Sequence, residues 1–247
     1  MNTTILREKL IQLTGYWMYK KKLLPIGADL IVDLKEKIGI ELKTLFDVGA
    51  NIGQTALHFS RHFPNATIHS FEPISGTFQK LVENTKRNPG IKCHKLALSD
   101  SQEEIEVKVF DDDRSVLNSL KGHLQDNSQN CRLEKIQTNT LDCFSITKEI
   151  KSIDLLKIDT EGYEIPVLNG AINSLKNNSI KLVYIEVGFS KRNVRNTYFM
   201  DIFNFLNQLG YVFFGLYEIH HYDFENENHF GNALFIHHKY LKNNNFY

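Results

Sequence analysis

Cysteine is scarce in this chain. There are three, Cys93, Cys131 and Cys143, among 247 residues, and no CxxC pair occurs. An odd, dispersed set excludes a disulfide framework and a zinc knuckle, and it suits reduced thiols in the cytoplasm. An excess of either charge is also lacking, with 29 Lys and Arg against 29 Asp and Glu, a net charge of zero. A domain that grips long nucleic acid carries a basic excess, so no nucleic-acid partner is expected. No run of about 18 apolar residues occurs, and the first residues lack the apolar stretch of a secretion signal. The expectation is a soluble, cytoplasmic protein. Neither an internal repeat nor a GxGxxG turn is found.

What is present is an ordinary share of core-forming residues, 42% hydrophobic and 11% aromatic. That suffices for one α/β domain and argues against a second large one. Residues 1–41 form a helical cap or lid segment, with Ile5, Leu6, Leu10 and Ile11 near a helical period and a second helix in "GADLIVDLKEKIG". Residues 42–247 then alternate. Strands are expected in "KTLFDVG", "ATIHSFEP", "IKCHKLALSD", "SIDLLKIDT", "IKLVYIEV", "YVFFGLYE" and "NALFIHH". Helices are expected in "QTALHFSRHF", "GTFQKLVENTKRN", "EIPVLNGAINSLKNN" and "MDIFNFLNQLG". Such alternation implies a mostly parallel seven-stranded sheet with helices on both faces, and the last two strands, without a helix between them, form an edge hairpin. An insertion at about 101–150 holds a β excursion ("EEIEVKVF", "RLEKIQTNTLDCF") around the polar loop "KGHLQDNSQN".

The stretch "FDVGANIGQT" ends the first strand in a glycine turn. A pyrophosphate site would want a second close glycine. Here the turn is G-A-N-I-G, and Asp47 precedes it. A carboxylate is a poor neighbour for a pyrophosphate and a good one for a cation such as the ammonium and sulfonium of S-adenosylmethionine. Gly49 and Gly53 let the backbone pass close to that ligand, and Asn51 tolerates an unusual turn. Glu72, at the end of the second strand, lies 23 residues beyond Gly49. An acid at about this distance accepts from ribose hydroxyls in nicotinamide and S-adenosylmethionine sites alike. In "KLALSD", Ala97 and Leu98 are placed to flank adenine, with Ser99 or Asp100 accepting from its amino group; the alternative is a plain strand and turn.

Strands four and five end in Asp159, Glu161 and Glu186. Acids at adjacent strand ends make sense facing a cation, a substrate hydroxyl or a metal. Alternatively, Asp159 or Glu161 caps the following helix. Asp159 is the first candidate general base, Glu161 the second, and His123, in the polar loop, a third. The late histidines His220, His221, His229, His237 and His238 lack ligand spacing, even with Asp223. No metal site is therefore assigned, although a divalent ion would suit the acids. His221 could also line the substrate cleft. The basic N-terminal helix (Arg7, Lys9, Lys20, Lys21, Lys22, with Tyr16 and Trp17) suits a membrane surface, a glycolipid or a homodimer contact, or simply a solvated face.

Taken together, "FDVGANIGQT", "HSFEP", "KLALSD", "TNTLD" and "DLLKIDTEGYEIPVLNGA" resemble the FkbM family of S-adenosylmethionine-dependent methyltransferases, from about residue 44 to 188. The resemblance implies a class I methyltransferase (Rossmann-like) fold whose last strand is antiparallel and inserted near the edge. It implies O-methylation of a sugar, glycan or secondary-metabolite hydroxyl. On it, Asp47, Gly49, Asn51 and Gly53 form the cofactor floor, Glu72 clamps the ribose, and Asp159 and Glu161 open the substrate side. The chain lacks the D/N-P-P-Y/F/W segment of amino-methylating enzymes. Two alternatives are a nicotinamide-dependent oxidoreductase and a cofactor-binding module without catalysis.

Overall fold

A computed structural model describes residues 3–15, 23–109, 132–193, 195–221 and 229–241. The loop at 121–130 with His123, the segment Tyr16–Lys22, Cys131 and Asp223 lie outside them.

A seven-stranded sheet forms the centre. In chain order its strands are β1 (Thr44–Val48), β2 (Thr67–Phe71), β3 (Ile91–His94), β7 (Ile153–Ile158), β8 (Ile180–Gly188), β9 (Tyr211–His221) and β10 (His229–His237). The spatial order is β3-β2-β1-β7-β8-β10-β9. β3 through β8 run parallel, and β10 inserts antiparallel between β8 and β9. The expected fold class is therefore observed. A smaller sheet orders β4 (Ala97–Leu98), β6 (Arg132–Asn139) and β5 (Glu104–Val109) as β4-β6-β5.

Alternation along the strands sorts two cores. Phe46, Leu156, Ile158, Val183 and Ile185 face α5 (Leu141–Thr147), α6 (Glu164–Gly170) and α8 (Phe199–Gln208). Leu45, Leu155, Leu182 and Leu234 face α3 (Gln54–His62) and the N-terminal segment. There, α2 (Leu30–Val32) runs into a π-helical stretch, Asp33–Ile38, closed by left-handed Gly39. Ile31, Leu34 and Ile38 are buried, each worth about 1.5–3 kcal/mol. Buried Asp33 pins this segment, accepting from Gly27 N (2.9 Å) and Tyr217 Oη (2.8 Å) and pairing with the Lys37 ammonium at 2.5 Å. By contrast, α1 (Thr3–Thr14) leaves Ile5, Leu6, Leu10 and Leu13 exposed.

The structure departs from the sequence pattern in three places. "IKCHKLALSD" is two strands, because Leu96 N turns back to His94 O and sends Ala97–Leu98 to pair with β6. The end of the β excursion is instead α5, capped by Thr140, whose Oγ1 accepts from Cys143 N. The helix after strand four is broken at Ala171 into α6 and α7 (Ile172–Lys176). Between these points α4 (Ser75–Thr85) follows β2 as expected.

At the β2–β3 edge, His69 and His94 stack 5.3 Å apart and share a 3.1 Å hydrogen bond between Nδ1 and Nε2. Phe144 meets Phe71 edge-on at 4.9 Å. Burial, assisted by nearby Lys92 and Lys148 for His69 and by His69 and Lys148 for His94, lowers each ring to about 4. Both are neutral when folded, whereas a histidine in the unfolded chain titrates near about 6.5. Their contribution to stability is complete above about pH 6.5 and is lost as pH falls toward 4. Thermal unfolding followed by circular dichroism should show the midpoint declining through that window, with a shallower decline in the variant combining His69→Gln and His94→Gln. An equally steep decline in that variant would contradict the assignment.

Candidate active site

Parallel sheets of this order bind ligands beyond the carboxyl ends of their strands, where the order reverses. Here that point is the β1–β7 junction. On the face toward α3, each central strand passes from apolar to polar. Leu155 is followed by Lys157 and then Asp159, and Leu182 by Tyr184 and Glu186. Asp47, Lys157 and Tyr184 are in register across three strands. Lys157, only 4% exposed, has its ammonium 3.3 Å from Asp47 and 3.2 Å from Asp159. Burial alone would lower its pKa, yet the two aspartates outweigh burial and hold it above the usual lysine value. The cation beside Asp47 is therefore supplied by the chain. Asp47 is fully buried, lies beneath the cleft, and lines neither cavity described below.

Above this pair the glycine turn is tight. Gly49 has φ +76, and a Cβ there would stand 1.8 Å from Asp159 O. Glu72, nearly buried, accepts from Asn51 N (3.2 Å) and Ile74 N (2.9 Å). Burial pushes its carboxyl up to about 7, against the pull of those two N–H groups. A cavity of about 120 Å³ opens beside it, lined by Gly49, Asn51, Phe71, Glu72, Ala97 and Leu98. Val107 and Lys108 of β5 line it too, which no sequence motif indicated. The β5–β6 ribbon is held there by Glu134 of β6, which accepts from Ser75 N (2.8 Å) and Ser75 Oγ at the start of α4 and from Arg132 (2.6 Å). Gly53 caps α3 behind the cleft, and Ser99 is turned away, with Oγ against Asp100 and Tyr163 Oη.

Asp159 and Glu161 line the same cavity, and their neighbours differ. Glu161, at a left-handed φ of 53, receives a two-pronged contact from Arg195, at 2.5 and 2.6 Å. Neither acid caps α6. Glu164 shapes the loop instead, accepting from Thr160 N, Gly162 N and Thr197 Oγ1. Glu186, bonded by Asn196 Nδ2 at 2.5 Å, is raised to about 9 by burial and by Asp159, Glu161 and Glu164. Carboxylate oxygens of Asp159, Glu161 and Glu186 lie within 4.8 Å of one another. With Lys157 and Arg195 beside two of them and the third protonated near neutral pH, the group is balanced by protein charges. The late histidines are dispersed, with His221 and His229 bonded to each other at 3.0 Å on the β9–β10 hairpin.

A second cavity, of about 650 Å³, lies on the far side of Asp159 between residues 27–35, α3 and the ends of β8–β10. Five non-glycine residues among those described have left-handed φ. Glu149 and Asn178 directly follow the C-caps of α5 and α7, whereas Asn51, Glu161 and Glu218 all line the two cavities. Held strain of this kind gathers at functional sites.

The strand order, the glycine turn and the acid-edged cleft define a class I methyltransferase architecture. The chain belongs to the FkbM methyltransferase family, whose domain model matches residues 47–213. It is 30% identical over 151 residues to a hexuronic acid methyltransferase, AglP of Haloferax volcanii, covering 61% of this chain and 59% of that protein. It is 26% identical over 142 residues to Methyltransferase 1 of Beauveria bassiana, covering 51% and 57%. The chain thus spans less than two thirds of the curated relatives it matches. Among solved structures, M. capricolum TrmK with S-adenosyl-homocysteine matches at 11% identity and a TM-score of 0.48, covering 83% of this chain and 66% of that one. Likeness at that level says nothing of what this chain binds. No helix among the described residues is long and apolar enough to cross a membrane.

Removing one member of a buried pair leaves the other charge uncompensated, at about 3–5 kcal/mol. Lys157→Met should therefore lower stability by about that amount in urea titrations at pH 7, and adding Asp47→Asn should restore part of it. A Lys157→Met protein as stable as wild type would refute the pairing.

Proposed function

We propose that the protein is an S-adenosylmethionine-dependent O-methyltransferase acting on a hydroxyl of a sugar, a glycan or a secondary metabolite. The observation that carries this reading is Glu72. Its buried carboxylate is aimed by Asn51 N and Ile74 N at the edge of a cleft, where a ribose needs a two-hydroxyl acceptor. The donor set fits the rest of a nucleoside, since Phe71, Ile74, Leu96 and Val107 offer apolar surface for a planar base. A nicotinamide dinucleotide fits less well, because the turn lacks the GxGxxG pattern. The hexuronic acid named for the Haloferax relative favours a sugar among the possible acceptors.

S-adenosylmethionine, when bound, supplies an electrophilic methyl group on a sulfonium. The chain's part is placement and proton handling. Gly49 and Asn51 form the floor, and Glu72 fixes the nucleoside. Asp159, at the border between the two cavities, receives the acceptor's hydroxyl proton. Lys157 holds that carboxylate in position from below, and the Arg195 contact fixes Glu161 beside it. Bringing the acceptor oxygen into line while excluding water provides most of the acceleration.

Calorimetric titration should show S-adenosyl-homocysteine binding that weakens at least tenfold in Glu72→Ala. As the Glu72 proton is lost, wild-type affinity should rise with pH through about 7, while Glu72→Gln stays flat. Equal affinity in all three proteins would sink the ribose assignment. Separately, Asp159→Asn should keep S-adenosyl-homocysteine affinity and lose transfer of labelled methyl to cell-extract acceptors, and undiminished transfer would remove Asp159 from catalysis.

A further inference from the structure

We infer that the 650 Å³ cavity is the acceptor site, that it takes a polyhydroxylated sugar ring, and that Glu218 is the residue that orients the ring. This rests on the methyl-transfer reading above. Asp159 lines both cavities, so a ring in the larger one can present a hydroxyl to that carboxylate while the smaller one holds the nucleoside. The volume falls within the range of small-molecule sites, about 300–1,000 Å³.

The lining mixes hydrogen-bonding groups of both senses. Asp29 and Glu218 accept, Asn232, Thr55 and His58 can do either, and Tyr217 and Tyr184 add aromatic surface. A ring whose every hydroxyl both donates and accepts is the ligand such a wall suits. Burial, then the neighbouring His62, lowers the His58 ring, whereas Glu218 and Asp29 pull it the other way. His58 on α3 and Glu218 on β9 line the same space.

Glu218 is placed by an irregularity. Simple alternation in β9 would turn it to the face opposite Tyr217. The register with β10 slips there, and Glu218 and Ile219 stand against the single residue Gly231. The bulge, with Glu218 at φ 48, swings the carboxylate onto the Tyr217 face. Tyr184 Oη (3.1 Å) and Asn232 Nδ2 (3.0 Å) both donate to its Oε2. Bulges re-aim side chains next to active sites, and a left-handed glutamate held by two donors carries strain that packing alone does not require. The opposite wall is equally fixed, because the Asp33 network ties residues 27–38 to Tyr217.

The test uses the full chain saturated with S-adenosyl-homocysteine and titrated with the methyl glycosides of glucose, mannose and glucuronic acid. Histidine ring resonances report, assigned through His58→Gln and His62→Gln. The expected result is that at least one glycoside shifts His58 and His62. Glu218→Ala should weaken that sugar at least tenfold with S-adenosyl-homocysteine affinity within twofold, and Glu218→Gln, which keeps the shape, should act in the same direction. Binding of S-adenosyl-homocysteine with no histidine shift from any glycoside overturns the inference, as do shifts confined to His221 and His229. Failure to bind S-adenosyl-homocysteine overturns the methyl-transfer reading itself.

Discussion

A lysine buried between two aspartates underlies the geometry of the whole carboxyl edge. Asp47, Asp159, Glu161, Glu164 and Glu186 lie on or just beyond three neighbouring strands, and so many acids would repel one another if each stood alone. Lys157 answers two of them from below, and Arg195 answers Glu161 from the side. Glu164 is absorbed into the loop it shapes, and Glu186 keeps its proton near neutrality. The most open of the five is Asp159, its side chain 35% exposed, set above Lys157 where two cavities meet. Desolvating Lys157 is costly, and its two close partners offset that cost only in this arrangement.

That arrangement also divides labour between the sheet's halves. The β1–β2 side presents a narrow cleft walled in part by Val107 and Lys108 of β5. The β8–β10 side presents a roomier polar space closed by the N-terminal segment. A reaction between two bound molecules needs such a shared border, since effective concentration depends on how tightly the reacting atoms are held together.

Much of this was legible in the residues. The alternation of apolar strands with helices predicts the parallel sheet, and the absence of a helix between the last two strands predicts the hairpin. The spacing of Gly49, Asn51 and Glu72 marks the cleft, whereas Asp47, expected to face a cationic ligand, faces Lys157 beneath it. Lys157 is not legible in sequence, because a lysine inside "LLKID" cannot be told from a solvated residue until register places it opposite Asp47. Arg195 is 34 residues from Glu161 in sequence, so no local pattern joins them. Val107 and Lys108 reach the cleft through long-range pairing that periodicity cannot express. Glu218 was hidden for the reverse reason: the period-two rule assigns it a face, and the bulge breaks that rule.

The β5–β6 ribbon fixes one wall of the smaller cavity as a unit. Its six residue pairs are in unbroken register from Glu104↔Gln137 to Val109↔Arg132, and Glu134 fastens it to the start of α4. A slip of one residue would exchange the faces of Val107 and Lys108 and draw Glu134 away from Ser75. The ribbon therefore works as a latch with a single seated position: the wall it lends is either whole or missing.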